Sequence, residues 1–244
     1  MAIVHFAYLF NSTEFQHEIE PLIPQLDAGN YQVLRQKAWQ VSQQSPHVWD
    51  ILGNHFYGPD DFLEKYEDYE APDTGFWFLV VLAQFLVQIP SFDLMPTWHE
   101  QWLRCNFLRS GLALVGWEEQ DCSMLITGMN TCSLLLPDRM PDSVEQVAWV
   151  KSDEEWERAH WCNFQGGWLD KANLTRLRTK LHIVRDKYLE IEPQLTPLLL
   201  KSGVDITQYG TEGISELLQS SYNDAERLLK TAQEADKCLF MLVS

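Results

Sequence analysis

Apolar and polar positions follow two rhythms along this chain. Ala2 to Phe10 (AIVHFAYLF) and Cys238 to Val243 (CLFMLV) are short uncharged runs rich in β-branched, aromatic and aliphatic residues. Both read as strands. Asn11, Ser12 and Thr13 mark a helix start after the first run, and helical patterns follow over 13–26 and 28–44, broken by Pro21, Pro24 and Gly29. A turn at Ser45-Pro46 leads to a short helix around Trp49, and Gly58 to Thr74 reads as an acidic loop. Phe76 to Ile89 (FWFLVVLAQFLVQI) is nearly all apolar; it predicts a buried helix with Gln84 and Gln88, four apart, on its one polar edge. Its fourteen residues fall short of the roughly 20 needed to span a bilayer.

Trp98 to Leu114 repeats at helical spacing through Trp98, Trp102, Cys105 and Leu108 or Arg109. Residues 122–142 mix short apolar stretches with Gly128, Pro137 and Pro141. Val144 to Val150 reads as a strand, and Ser152 with Glu155 is a capping-box signature opening a helix that Gly166-Gly167 ends. Beyond it lies the cleanest periodicity in the chain: Leu174, Leu177, Leu181, Val184, Tyr188 and Ile191 form one apolar stripe. A further amphipathic helix covers 212–236. These elements predict an α+β fold, mostly helical, in which a small sheet including the N- and C-terminal strands, with the 144–150 strand, is covered by amphipathic helices. The chain is long enough for a single domain over 1–244, divisible into an acidic helical lobe (1–142) and a strand-plus-helix lobe (143–244).

Charge changes the picture from fold toward partners. Asp and Glu number 35 against 18 Lys and Arg, a formal charge of -17. Such a surface repels nucleic acid and anionic membranes and favours a basic protein partner. The excess is uneven: residues 1–100 hold fourteen acids and three bases, whereas 170–244 hold eleven and ten. Asp60, Asp61, Glu64 and Glu67 concentrate the negative charge, while Lys171, Arg176, Arg178, Lys180, Arg185 and Lys187 sit on the long helix. Those bases either complement acids of the same chain or make the 174–191 helix a face for an acidic partner or a homo-oligomer. No Lys or Arg precedes Arg35, and five cysteines form no C-x-x-C pair, which together point to reduced thiols in a cytoplasmic protein.

Candidate chemistry is sparse. His99-Glu100 begins like a zinc-protease helix, but Leu103 stands where the second His is needed. His160 and Cys162, two apart, point to different sides of a helix. No metal and no cofactor is expected, and the serine-hydrolase elbow, phosphate loop and dinucleotide fingerprint are absent from the sequence. Aromatic content is what stands out: of ten tryptophans, Trp149, Trp156, Trp161 and Trp168 fall in one short stretch. Each indole either anchors a core or lines a surface that is apolar on one side and wet on the other. Trp98, Trp102, Trp156, Trp161 and Trp168 are the candidates for a groove. The first functional expectation is a non-catalytic cytoplasmic binding protein, of inhibitor or immunity type, using an acidic, Trp-bearing surface. The alternative is an enzyme with a Trp-lined pocket that uses His99, Glu100, His160 or Cys162.

Overall fold

Two uncharged runs from opposite ends of the chain pair with each other at the centre of the molecule. In this computed structural model, which describes residues 5–53, 58–67, 74–89, 98–130, 135, 166–201, 203 and 206–243, β1 (His5–Phe10) and β5 (Cys238–Val243) are antiparallel in a register running from His5↔Val243 to Phe10↔Cys238. β2 (Leu86–Gln88) adds to the free side of β1, and β4 (Gly166–Leu169) and then β3 (Met129–Asn130) add to the free side of β5. The sheet order is therefore β2-β1-β5-β4-β3, with every pairing antiparallel.

Period-2 alternation sends the strand side chains into two separate cores. Tyr8, Phe10, Leu86, Trp168, Cys238 and Phe240 face one; Ala7, Leu9, Leu169, Leu239 and Met241 face the other. The central strands β1 and β5 are covered on both faces, which is why they read as unbroken apolar runs, whereas Val87 of edge strand β2 is 59% exposed. The first core is closed by α1 (Ser12–Ile19), α2 (Ile23–Asp27), α3 (Gln32–Gln44), α4 (Val48–Gly53), α5 (Pro59–Glu67) and α6 (Thr74–Ala83). The second is closed by α7 (Trp98–Leu114), α8 (Glu119–Thr127), α9 (Lys171–Leu189), α10 (Glu192–Lys201) and α11 (Gly210–Glu234). The chain is thus a mostly helical α+β protein with both described ends in its sheet.

The two layers are held differently. Aromatic edges and faces dominate the first: Phe15 meets Phe10, Phe78 and Phe85, each at 5.6 Å between ring centres. α6 is buried from Phe76 to Ala83, as an all-round apolar helix must be. In the second layer aliphatic packing is pinned by buried hydroxyls. Tyr188 Oη and Ser221 Oγ are 2.7 Å apart, and Tyr222 donates to the Leu181 carbonyl at 3.0 Å.

Several expectations are corrected. The buried helix stops at Ala83; Gln84 and Phe85 turn, and Leu86–Gln88 is a strand, so Gln84 and Gln88 do not share a helix edge. Pairing with β1 outweighs helix propensity here, and Pro90 disfavours a helical residue before it. The expected acidic loop contains α5, whose N-terminus is fixed because the Gly58 N–H donates to Asp61 Oδ2 at 2.7 Å while acids occupy its first turn. The Gly166-Gly167 break is the start of β4. The strand expected at 144–150 and the helix from 152 lie outside the described residues. In the 174–191 stripe, as expected, Leu174, Leu177, Leu181, Tyr188 and Ile191 are buried within the chain, and α9 packs on α11.

Gly167 shows how tightly β4 is set. A Cβ there would overlap the Thr127 carbonyl, and one on Gly128, whose φ of +76° ends α8, would lie 2.6 Å from the Trp168 nitrogen. Backbone meets backbone at this point, so no side chain can swing aside. Gly167→Ala is expected to cost about 3 kcal/mol, read as a lower urea midpoint. An unchanged midpoint would show that α8 does not abut β4.

Candidate functional site

The residues singled out by sequence fall into three groups. Trp98, His99, Glu100 and Trp102 lie on the first turns of α7, with their side chains outside the described part of the structure. Trp156, His160, Trp161 and Cys162 lie outside the described residues altogether. Trp168 is described, and it is a core residue: it sits on β4 opposite Phe240 and is only 9% exposed. Its assignment to a groove is therefore corrected; burial among the aromatics of the first layer takes its indole out of contact with partners. Trp77 and Trp117 are buried too.

Asp60, Asp61 and Glu64 are brought together and exposed on α5, and Glu67 ends that helix. α5 is anchored from beneath. Its Phe62 is buried, stacking at 6.0 Å on Trp39 and edge-on at 5.4 Å to Trp49, while Tyr66 stacks on Trp39 at 4.5 Å. The Arg35 guanidinium lies 4.4 Å from the centre of the Tyr66 ring, where the ring face attracts a cation. Lys37 pairs with Glu18. Two of the few bases in this layer are thus engaged internally, and Glu14, Glu20, Asp50, Asp60, Asp61 and Glu64 remain exposed.

The second layer balances its charges. Asp121, 3% exposed, receives Arg176 Nη1 at 2.5 Å and also Lys180 Nζ, joining α8 to α9. Arg178 pairs with Glu226 at 3.1 Å, Lys171 with Asp236 at 2.7 Å, and Arg109 with Glu119. The basic helix therefore meets acids of α8 and α11 and the turn after it, not those of α5.

Between α7, α8, α11 and the sheet lies an apolar cavity of about 100 Å³. Arg104, Cys105 and Leu108 approach it from α7, and Ser221, Asp224 and Ala225 from α11. Sequence reasoning placed Cys105 and Leu108 on one helical stripe but had no signal for Asp224, because the Arg104–Asp224 pair at 2.5 Å is a tertiary contact. Burial pushes the Cys105 thiol up to about 12. Cys122 is raised to about 11, first by burial and then by Glu119. Cys238 is raised, again chiefly by burial, although it lies 3.2 Å from Ser12 Oγ. A thiol held protonated in this way is a poor nucleophile at neutral pH. Among the described residues, no group of three or more His, Cys, Asp or Glu side chains is placed to hold a metal ion.

Asp121 carries a measurable pH dependence. Burial alone would raise its pKa, but hydrogen bonds and charge from Lys180 and Arg176 outweigh burial and hold the carboxyl below its usual range. A depressed carboxylate contributes stability above the unfolded pKa near ~4, and loses it as pH falls through the folded value. Asp121→Asn is expected to cost about 2 kcal/mol at pH 7, discounted because both cations are partly exposed, and the gap to the parent protein should narrow below about pH 4. Urea unfolding of both proteins at pH 7 and pH 3 checks this; a gap independent of pH would assign the loss to packing.

No protein-family model matches the chain, and comparison with curated proteins and with solved structures finds no match.

Proposed function

We propose that this chain is a non-catalytic cytoplasmic binding protein that engages a basic protein partner through the acidic surface of its first helical layer, as an inhibitor or immunity-type factor does. The observation that carries the reading is α5: Asp60, Asp61 and Glu64 are exposed on a helix held by Phe62 and Tyr66 against Trp39 and Trp49. Such a surface offers charge for steering and specificity on a support whose ordering has already been met by folding. Leu63, 41% exposed, adds an apolar position to the same helix. Trp39 and Trp49, half-buried, support this helix from beneath.

Three further facts agree with this reading. Arg176, Arg178 and Lys180 of the second layer pair with acids of the same layer, and by count the acid excess belongs mainly to residues 1–100. Cys105, Cys122 and Cys238 are free thiols, which suits a reducing compartment. Among the described residues, no helix is long and apolar enough to cross a membrane.

Asp61 also fixes the α5 N-terminus, so the informative variant is Asp60→Asn with Glu64→Gln, which removes charge and leaves that hydrogen bond in place. Immobilised protein is expected to retain basic proteins at 50 mM salt and to release them near 1 M, where the Debye length falls to about 3 Å. The double variant should bind about tenfold more weakly with unchanged circular dichroism, since several rim charges act together. Partners that are acidic, or binding indifferent to both salt and the double variant, would refute the assignment.

A further inference from the structure

α10 is apolar on two opposite sides and covered on one. Leu195 and Leu199 are buried in the second core, where the helix packs on α7 and α11. On the other side Pro193, Pro197 and Leu200, spaced four and three apart, fall in one exposed stripe with exposed Leu198 beside it. A surface helix ordinarily turns a polar face to water, and one that is apolar all round is ordinarily buried all round. Of the five large apolar residues exposed among the described ones, α10 holds two, Leu198 at 45% and Leu200 at 46%. Its stripe carries no charge, in a chain whose formal charge is -17.

Charge and symmetry narrow what covers this face. The acid excess disfavours an anionic membrane. The two ends of α10 differ in sign: Glu190 and Glu192 stand at its start, and exposed Lys201 closes it. Two copies of the helix laid antiparallel set the basic end of each beside the acidic end of the other, whereas a parallel pair brings like charges together. Antiparallel is also the arrangement that a two-fold axis produces, and two-fold dimers are the commonest homo-oligomers. We propose that the exposed face of α10 docks a second copy of this chain in an antiparallel, two-fold dimer. Pro193 of one copy then meets Leu200 of the other, with the two Pro197 rings side by side at the axis. The helix is only about 15 Å long, and a standard interface buries roughly 800 Å² a side, so the dimer is weak, with a dissociation constant on the order of 100 μM. The pairing does not rest on α5, which lies in the other layer and is left uncovered.

Sedimentation equilibrium of the full chain between about 5 and about 500 μM, a range that brackets this constant, tests the dimer. The mass should rise from that of one chain toward that of two. Raising salt from about 0.15 M to about 1 M should not weaken it more than about threefold, because the buried face is uncharged and the repulsion between two acidic molecules is screened. Leu200→Glu should weaken association by about tenfold or more with unchanged circular dichroism, since it places a charge in the apolar contact. Pro197→Cys, at the axis, should form a covalent dimer with oxidised glutathione, the two thiols joining as a disulfide while glutathione is reduced; Ile183→Cys, exposed on α9, should not. If Leu200→Glu does not fold, the Pro197→Cys cross-link decides the matter. The proposal fails if the mass stays that of one chain, if larger assemblies form, if Leu200→Glu changes nothing, or if Ile183→Cys cross-links as well as Pro197→Cys. A single chain that instead sediments with phosphatidylcholine vesicles, and loses this with Leu200→Glu, would assign the face to lipid and overturn the dimer.

Discussion

The pairing of β1 with β5 is the constraint on which the rest of the structure depends. It brings together residues from the two ends of the chain, at a loop-closure cost of about 5 kcal/mol for a connection of this length. The return comes from both faces at once. Phe10 and Phe240 meet at 5.5 Å on one side, while Leu239 and Met241 enter the second core on the other. α11 packs directly on β5, and the two faces of the strands enter the two cores that the helical layers close. Contacts this distant in sequence raise the contact order of the fold, which slows folding.

The contrast between the layers follows from what each uses to hold itself. Rings hold the first: Phe62 alone contacts Trp39, Trp49, Tyr66, Phe76 and Trp77. Offset and edge-on aromatic packing needs no counter-ions, so the surface of this layer can carry unbalanced acids without loosening what lies beneath. In the second layer, bases on α9 reach carboxylates on α8 and α11, and Asp121 with its two cations ties elements that aliphatic packing alone would let slide. Its charge is therefore committed inward. Net charge is thereby partitioned by mechanism of packing: acids of the first layer are exposed on helices held by rings, with Asp61 also capping α5.

Legibility in the sequence followed the same physics. β1, β5 and α9 were readable because a strand buried on both faces is an unbroken apolar run and a helix buried on one face is a stripe. β2 was hidden by that very rule: LVQ directly after a helix buried all round continues its hydropathy, and only partner strand β1 separates them. α5 was hidden by its acids, which resemble a loop in composition yet belong in a first helical turn, as the Asp61 hydrogen bond to Gly58 shows. β4 was hidden because a glycine pair reads as a stop, whereas Gly167 is there to admit the Thr127 backbone. At the site level, the charge of Asp60, Asp61 and Glu64 was visible as composition. The Arg104–Asp224 pair was not, since nothing local to either residue announces a partner on another helix.

The placement of the two proposed sites decides how they relate. The acidic surface belongs to the layer over one face of the sheet and α10 to the layer over the other, and the same strands serve both: Phe240 faces the first core while Leu239 and Met241 face the second. Proximity through a shared strand does not by itself couple sites; coupling needs an element with two arrangements that each ligand favours differently. β5 offers no second arrangement, because slipping its register by one residue would exchange Phe240 with Leu239 and send every side chain to the wrong core. A sheet locked from both sides isolates what is bound on either face.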